Sequence, residues 1–178
     1  MERPKLHVTE HTASDTILIV DDDAINRKIL GKIFSPFYAV EEAENGRVGT
    51  ARLLEDRRRF CAILLDVLMP EMSGLEVLRW MKERELLDKI PVFLITSERS
   101  EDIMREAYQL GVMDVIQKPV VSYVVLRRIQ SVIELFEARK HLSTVVEHQG
   151  AALLEQAEKI IQLNQGRIEA LATAIEFR

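Results

Sequence analysis

The chain has 178 residues, and its 47% hydrophobic and 30% charged residues are typical of a folded globular protein, which excludes general disorder. Its formal net charge of −5 at pH 7 argues against direct binding of nucleic acid or of an anionic membrane by the chain as a whole. The single cysteine, Cys61, excludes an internal disulfide and lies in an apolar run, as expected of a buried thiol.

No stretch reaches the about 18 consecutive apolar residues of a transmembrane helix, and residues 1–12 contain no apolar signal-peptide core. These features predict a cytoplasmic protein that makes no membrane contact. Residues 1–13 are polar, include Pro4 and show no periodicity, so we predict a flexible leader.

Short apolar runs alternate with amphipathic segments after this leader. The predicted strands are Thr16–Val20, Tyr38–Val40, Cys61–Leu65, Pro91–Ile95 and Asp114–Gln117. The predicted helices are Ala24–Phe34, Val48–Leu54, Leu75–Met81, Asp102–Leu110 and a last helix that begins after Pro119. Strands that alternate with helices predict an α/β fold, a doubly wound five-stranded parallel sheet with helices on both faces.

Polar residues stand where four of these strands end. They are Asp21, Asp22 and Asp23 after the first strand, Asp66 after the third, Thr96 and Ser97 after the fourth, and Lys118 and Pro119 after the fifth. Because the carboxyl ends of parallel strands share one edge of the sheet, where ligands bind in this fold class, we expect these side chains to converge.

The converging residue types suit phosphoryl chemistry. Clustered carboxylates repel one another unless a cation joins them, and oxygen ligands without His or Cys suit Mg²⁺. Lys118 would neutralise phosphoryl oxygens together with the metal, and Thr96 would hydrogen-bond one of them. A carboxylate can itself be the nucleophile and form an aspartyl phosphate. Asp23 is expected instead to cap the helix that begins at Ala24.

These fragments resemble, in order and spacing, the receiver domain of bacterial response regulators over residues 16–138. They are Ile19-Val20-Asp21-Asp22, Asp66-Val67-Leu68-Met69-Pro70 with Gly74 following, Thr96-Ser97, and Lys118-Pro119, and their combination is far more specific than any one of them. The resemblance implies a flavodoxin-like sheet with the strand order 2-1-3-4-5. We therefore expect a receiver domain at residues 14–138 and a helical coiled-coil extension at residues 139–178.

The resemblance also implies a set of site residues. Asp66 would accept a phosphoryl group from the phosphohistidine of a sensor histidine kinase or a phosphotransfer protein. Asp22, Asp66 and the Leu68 backbone carbonyl would bind Mg²⁺ directly, while Asp21 would act mainly through water. Met69-Pro70 and Gly74 would shape the neighbouring loop.

The switch residues depart from the family pattern at one position. The resemblance implies that Thr96 and Lys118 contact the phosphoryl oxygens. Many receivers carry a Tyr or Phe three residues before the lysine, as a side chain that rotates on phosphorylation, but here that residue is Val115. Because a valine cannot swing as a ring does, we hypothesise that the signal passes through the loop from Thr96 to Glu101.

The segment that follows Val121 shows an a/d heptad pattern. Its seam positions are Leu126, Ile129, Ile133, Phe136, Leu154, Ala157, Ile161, Asn164, Ile168, Leu171 and Ile175. Lys140, Ser143, Glu147 and Gly150 occupy the seam between the two stretches, where Leu142, Val146 and Leu153 offer a displaced seam.

A helix of this length, about 80 Å, cannot bury its apolar stripe against one small domain and requires a partner helix. A homodimeric coiled coil continuous with the last receiver helix is favoured. The alternative is a helical hairpin folded on itself, with a break near Gly150 or Gly166.

Residues 167–178 resemble the helix that leads into HD-type cyclic-di-GMP phosphodiesterase domains of response regulators. The metal-binding His and Asp residues of that domain do not occur here, so the resemblance implies a chain cut before its output domain or a degenerate relative. The same residues also fit an ordinary amphipathic helix.

Three functions are consistent with this sequence. The favoured one is a signalling module that is not itself an enzyme and that passes a phosphorylation state through a dimerising helix to an output domain. A haloacid-dehalogenase-like phosphatase would require a second Asp two residues after the nucleophile, where Leu68 stands. An adaptor with an inactive receiver is disfavoured because the acidic set is intact.

Overall fold

The computed structural model describes the backbone of residues 15–176 and the side chains of residues 15–162. The predicted leader, residues 1–13, lies outside the described residues. Five parallel strands form one sheet in the order β2-β1-β3-β4-β5, which confirms the predicted fold class and strand order. The strands are β1 (Thr16–Val20), β2 (Ala39–Ala43), β3 (Phe60–Leu65), β4 (Val92–Thr96) and β5 (Asp114–Gln117).

Five α-helices connect or follow these strands. They are α1 (Ala24–Phe34), α2 (Gly46–Asp56), α3 (Gly74–Glu83), α4 (Glu101–Leu110) and α5 (Ser122–Glu176). A short 3₁₀ helix, Arg57–Arg59, leads from α2 into β3.

Helices cover both faces of the sheet. Since successive strand residues point to opposite faces, the strand side chains are buried on both sides. One face packs against α2, α3 and α4, with Leu53, Leu78 and Ala107 among the buried helix residues. The other face packs against α1 and α5, through residues such as Phe34 and Ile129. The nearly continuous apolar runs of β1, β3 and β4 follow from this double coverage.

Side-chain caps set where the helices begin. Asp23 accepts a hydrogen bond from the Ile25 backbone N–H, which confirms its predicted role as the cap of α1. Asn45 caps α2 in the same way, so the Asn45-Gly46 pair starts a helix. Ser73 and Glu76 form a capping box at the start of α3.

The division of the chain falls between Phe136 and Glu137, which separates two compact units. Within the first unit, Ile129 and Ile133 of α5 are buried in the core. The first stretch of the heptad pattern therefore packs on the sheet of its own domain and is not free to form a coiled-coil seam.

The second unit is helical and carries exposed apolar side chains. The backbone of α5 is helical through both Gly150 and Gly166, so the alternative of a break at either glycine is wrong. The side chains of residues 137–149 and 151–162 are exposed, and those of the later seam positions, residues 164–175, lie outside the described side chains. Among the described residues, no helix is long and apolar enough to span a membrane.

Candidate phosphoacceptor site

Four of the predicted site residues, Asp21, Asp22, Asp66 and Lys118, converge at the carboxyl edge of the sheet. The Lys118 ammonium, after β5, donates hydrogen bonds to Asp21 Oδ2, after β1, and to Asp66 Oδ2, after β3, both at 2.7 Å. These three residues are separated by 45 and 52 positions in the sequence (66 − 21 and 118 − 66) and meet only because the sheet aligns its strand ends.

Asp22 completes the acidic cluster. One carboxylate oxygen each of Asp21, Asp22 and Asp66 lies within 4.8 Å of the others. Asp21 and Asp66 are buried, whereas Asp22 is exposed and its carboxylate accepts no hydrogen bond from the described residues. Three carboxylates against one ammonium leave two negative charges unbalanced.

This donor set fits a hard divalent cation. Its ligand atoms are carboxylate oxygens, and its two excess negative charges match the two positive charges of one Mg²⁺. The exposed Asp22 carboxylate leaves the cluster open to solvent on one side. The predicted role of the Leu68 backbone carbonyl stays a prediction; its side chain lies exposed in the loop after β3.

The electrostatics of the cluster keep Lys118 charged. Burial on its own lowers the pKa of Lys118, but the hydrogen bonds that its ammonium donates to Asp21 and Asp66, and the negative charges of those residues, outweigh it. The net pKa of Lys118 is therefore raised above its ordinary value, and the ammonium stays protonated at neutral pH. A fixed positive charge lies against the side chain expected to become phosphorylated.

Two tight backbone approaches shape the loop that follows Asp66. The Gly74 N–H donates to the Val67 carbonyl at 2.9 Å, and a Cβ on Gly74 would lie 2.2 Å from the Asp66 carbonyl oxygen. A Cβ on Gly46 would lie 2.4 Å from the Met72 carbonyl oxygen. The predicted loop-shaping role of Gly74 is therefore confirmed, because only glycine allows this contact.

Thr96 ends β4 and is fully buried. Its Oγ1 accepts a hydrogen bond from the Glu98 backbone N–H at 3.1 Å, and its register partner in β5 is Gln117. Val115, which stands where many receivers have an aromatic residue, is partly buried and packs against the face that holds α3 and α4. No ring is therefore present at this position to rotate.

Several residues that hold the site together were not predicted from the sequence. Asn26 donates to Asp21 Oδ1 at 3.3 Å, and Arg27 donates to the Asp21 and Asp22 carbonyls. Gln117 donates to the Glu98 carbonyl at 3.0 Å. In the sequence, only their positions set these residues apart. Asn26 and Arg27 closely follow the acidic run, and Gln117 directly precedes the lysine.

Known proteins share this sequence pattern. The family model described as response regulator receiver domain matches residues 17–130. A probable cyclic di-GMP phosphodiesterase of Vibrio cholerae is 26% identical over 169 residues, which are 95% of this chain and 38% of that protein. The transcriptional regulatory protein ResD of Bacillus subtilis is 32% identical over 70% of this chain and 50% of its own length. The chain thus spans at most half of either relative.

Solved structures share the fold. The chemotaxis protein CheY4 of Vibrio cholerae has a TM-score of 0.61 at 28% identity, covering 67% of this chain and 98% of that one. A CheY-like receiver domain protein of Methanospirillum hungatei has a TM-score of 0.64 at 27% identity, covering 71% and 98%. CheY in a CheX-CheY-BeF3-Mg complex of Borrelia burgdorferi has a TM-score of 0.62 at 26% identity, covering 66% and 88%.

The family match spans more than half of the chain and covers the whole sheet apart from Thr16. Receiver domains are signalling domains rather than enzymes, they typically bind Mg²⁺ at an acidic cluster, and they interact with histidine kinases or phosphotransfer proteins. The chain therefore belongs to the response regulator receiver domain family of two-component systems.

Proposed function

We propose that Asp66 accepts a phosphoryl group from the phosphohistidine of a sensor histidine kinase or of a phosphotransfer protein. A bond forms between an Asp66 carboxylate oxygen and phosphorus, the phosphorus–nitrogen bond breaks, and the imidazole leaves and takes up a proton. The observation that carries the proposal is the Lys118 ammonium, 2.7 Å from both Asp21 and Asp66.

The residues around Asp66 would each have a separate role in this transfer. Asp22, Asp66 and the Leu68 carbonyl would hold Mg²⁺, with Asp21 acting through water, and the bound metal would neutralise charge on the phosphoryl oxygens. After the transfer, the Lys118 ammonium would pair with a negatively charged oxygen of the new phosphoryl group. Thr96 Oγ1, which now accepts from the Glu98 N–H, would turn its hydroxyl proton toward a phosphoryl oxygen.

The partner is a cytoplasmic phosphodonor, and we place this chain in the cytoplasm with it. Ile25 and Ile29 lie one turn apart on α1, just after the acidic run, and both side chains are exposed. An exposed apolar strip beside the site suits docking of a partner helix that presents the phosphohistidine.

We also propose that residues 139–178 pair with a second copy of the chain and transmit the phosphorylation state to an output domain. Leu142, Val146, Leu153 and Ile160 follow heptad spacing, and each side chain is more than half exposed. In this register Val146, Leu153 and Ile160 occupy a positions, and the d positions are Leu142, Gln149 and Gln156, so the apolar stripe lies mainly along the a positions.

The charges around this seam suit an identical partner. Relative to the displaced seam of Leu142, Val146 and Leu153, the residues Gly150, Ala152 and Ala157 occupy flanking positions and carry no charge, so two copies would meet without like-charge repulsion there. Lys159, the flanking cation, is paired with Glu155 of its own helix at 2.7 Å. Outward positions hold most of the remaining charged side chains of this stretch.

The alignment with the Vibrio cholerae protein supports an output of the same class. It spans 95% of this chain, which requires that it include both the receiver and much of α5, and the rest of that relative lies beyond the match. We infer that residues 14–138 sense phosphorylation, that residues 139–178 relay it, and that a cyclic-di-GMP phosphodiesterase is a candidate output.

Intact mass spectrometry after incubation with acetyl phosphate and Mg²⁺ tests the phosphoacceptor proposal. We expect a gain of one phosphoryl group that disappears in Asp66→Asn and when EDTA replaces Mg²⁺. Ser97→Ala, which removes a neighbouring hydroxyl, serves as the control and should still gain it. Phosphorylation that persists in Asp66→Asn would overturn the assignment.

A further inference from the structure

Arg27 connects the acidic run to the edge strand through three hydrogen bonds. Its Nη1 donates to the Asp21 carbonyl at 2.7 Å and to the Asp22 carbonyl at 3.2 Å. Its Nε donates to Glu42 Oε2, on β2, at 3.1 Å. The Arg27 side chain is only 14% exposed, which is low for an arginine beside an open site.

These contacts restrain the backbone that carries the Asp22 side chain. The carboxylate of Asp22 receives no hydrogen bond from any described residue, so its position depends on its backbone and on its own side-chain rotamer. Arg27 donates to the carbonyl before the Asp22 Cα and to the carbonyl after it. These bonds restrain both peptide units next to that Cα. Nη1 carries two N–H groups for the two carbonyls, while Nε of the same rigid plane donates to Glu42. A lysine ammonium has all its donors on one nitrogen and lacks this planar spread.

Charge could favour the opposite effect, because a cation near the cluster repels a second cation. The Glu42 carboxylate at 3.1 Å compensates the charge of Arg27, so little net positive charge remains. Removal of Arg27 would leave the Glu42 carboxylate unpaired, and charge alone would then tighten cation binding. The positioning effect predicts the opposite sign, so the two effects are distinguishable.

We propose that Arg27 is a positioning residue that orients the Asp22 carboxylate for a divalent cation. This inference deepens the proposed function and rests on it, since it concerns the same acidic site. Arg27 touches neither the phosphoryl group nor the metal and acts through the backbone of Asp21 and Asp22.

The test measures Mn²⁺ affinity of the unphosphorylated full chain by electron paramagnetic resonance. Loss of a supporting contact of this kind weakens metal binding by about 10-fold or more, which is the change expected for Arg27→Met. Arg27→Lys should not restore wild-type affinity. Glu42→Gln, which keeps the guanidinium and an acceptor oxygen but removes the charge that strengthens their hydrogen bond, should cause a smaller weakening and covers the case in which Arg27→Met fails to fold.

Arg52→Met is the matched control. Arg52 pairs with Glu41, the neighbour of Glu42 on β2, at 3.2 Å, but makes no contact with the acidic run among the described residues. We expect this variant to lose an ion pair to the adjacent residue of β2 and to bind Mn²⁺ like the wild type. Thermal unfolding in EDTA shows whether each variant is folded.

Unchanged or tighter Mn²⁺ binding in Arg27→Met would overturn the inference, as would equal weakening in Arg27→Met and Arg52→Met. The outcome is separable from that of the phosphoacceptor proposal. If Arg27→Met weakens Mn²⁺ binding but the wild type is never phosphorylated, the positioning role stands and the function fails. If phosphorylation occurs and Mn²⁺ affinity does not change, only the positioning role fails.

Discussion

Lys118 bridges two buried carboxylates in this protein and offsets one of their two charges. Asp21 and Asp66 are both buried, and each gives one oxygen to the ammonium at 2.7 Å. Residue types and strand-end positions were enough to predict this meeting, because parallel strands bring their ends to one edge. Contacts that depend on helix phase, such as Arg27 with the Asp21 carbonyl, were not predictable from position alone.

Replacement of Lys118 by Met should destabilise the domain when metal is absent. It leaves two buried carboxylates without their counter-charge, at a cost of about 1–3 kcal/mol in the free energy of unfolding. Urea denaturation in EDTA measures this loss. Added Mg²⁺ should stabilise the variant more than the wild type, because the cation supplies the missing positive charge.

Lys82→Met is the control for this experiment. Lys82 donates to the Gln109 carbonyl at 3.0 Å on the surface between α3 and α4, so its loss should cost less than about 0.5 kcal/mol. Equal stability of Lys118→Met and Lys82→Met in EDTA would contradict the role given to Lys118.

At the scale of elements, the loop between β4 and α4 is tied to the site from two directions. The Glu98 N–H donates to Thr96 Oγ1, and Gln117 Nε2 donates to the Glu98 carbonyl at 3.0 Å. Gln117, the last residue of β5, directly precedes Lys118. Glu98 therefore contacts one proposed switch residue, Thr96, and the neighbour of the other, Lys118. The hypothesis that the signal passes through residues 96–101 gains a physical connection that does not require a ring at Val115.

Gln117→Leu should loosen this loop before any phosphorylation. Loss of one net hydrogen bond, about 1 kcal/mol, predicts amide exchange about fivefold faster at residues 97–101. The change in exchange caused by acetyl phosphate should also shrink in the variant. Gln109→Leu, on an exposed position of α4, should leave the loop unchanged, and unaltered exchange in Gln117→Leu would reject the connection.

Most elements were predictable because hydrophobic period and length distinguish strands from helices. β1, α1 and β5 have the predicted bounds, whereas α2 begins at Gly46 rather than Val48 because Asn45 caps it. The last helix begins at Ser122, and its first heptad stretch packs in the core. Periodicity shows that a face is apolar but does not show whether the same domain or another chain covers it.

At the scale of the whole molecule, two units of different character share one chain. The first has a buried core on both sheet faces, and the second has a helix whose large apolar side chains, Leu142 to Ile161, are exposed. Apolar surface of this extent marks an interaction site in a protein that otherwise buries its core well. In the proposed dimer, a second copy of the chain would supply a matching apolar stripe.

Leu153→Glu should convert the proposed dimer into a monomer, because it places two like charges in the seam. Ala151→Glu adds the same charge two residues away, on the side of the helix opposite the seam, and should remain dimeric. Light scattering of the full chain measures both. A wild type that is monomeric at every accessible concentration would contradict dimerisation without touching the phosphoacceptor proposal.

The most direct test of the central claim is to locate the phosphoryl group chemically. Borohydride reduction of the protein treated with acetyl phosphate and Mg²⁺ converts an aspartyl phosphate to homoserine, which peptide sequencing by mass spectrometry assigns to one position. We predict homoserine at position 66 and none at 21 or 22. Homoserine at another position, or none in a protein that has gained a phosphoryl group, would contradict the assignment of Asp66.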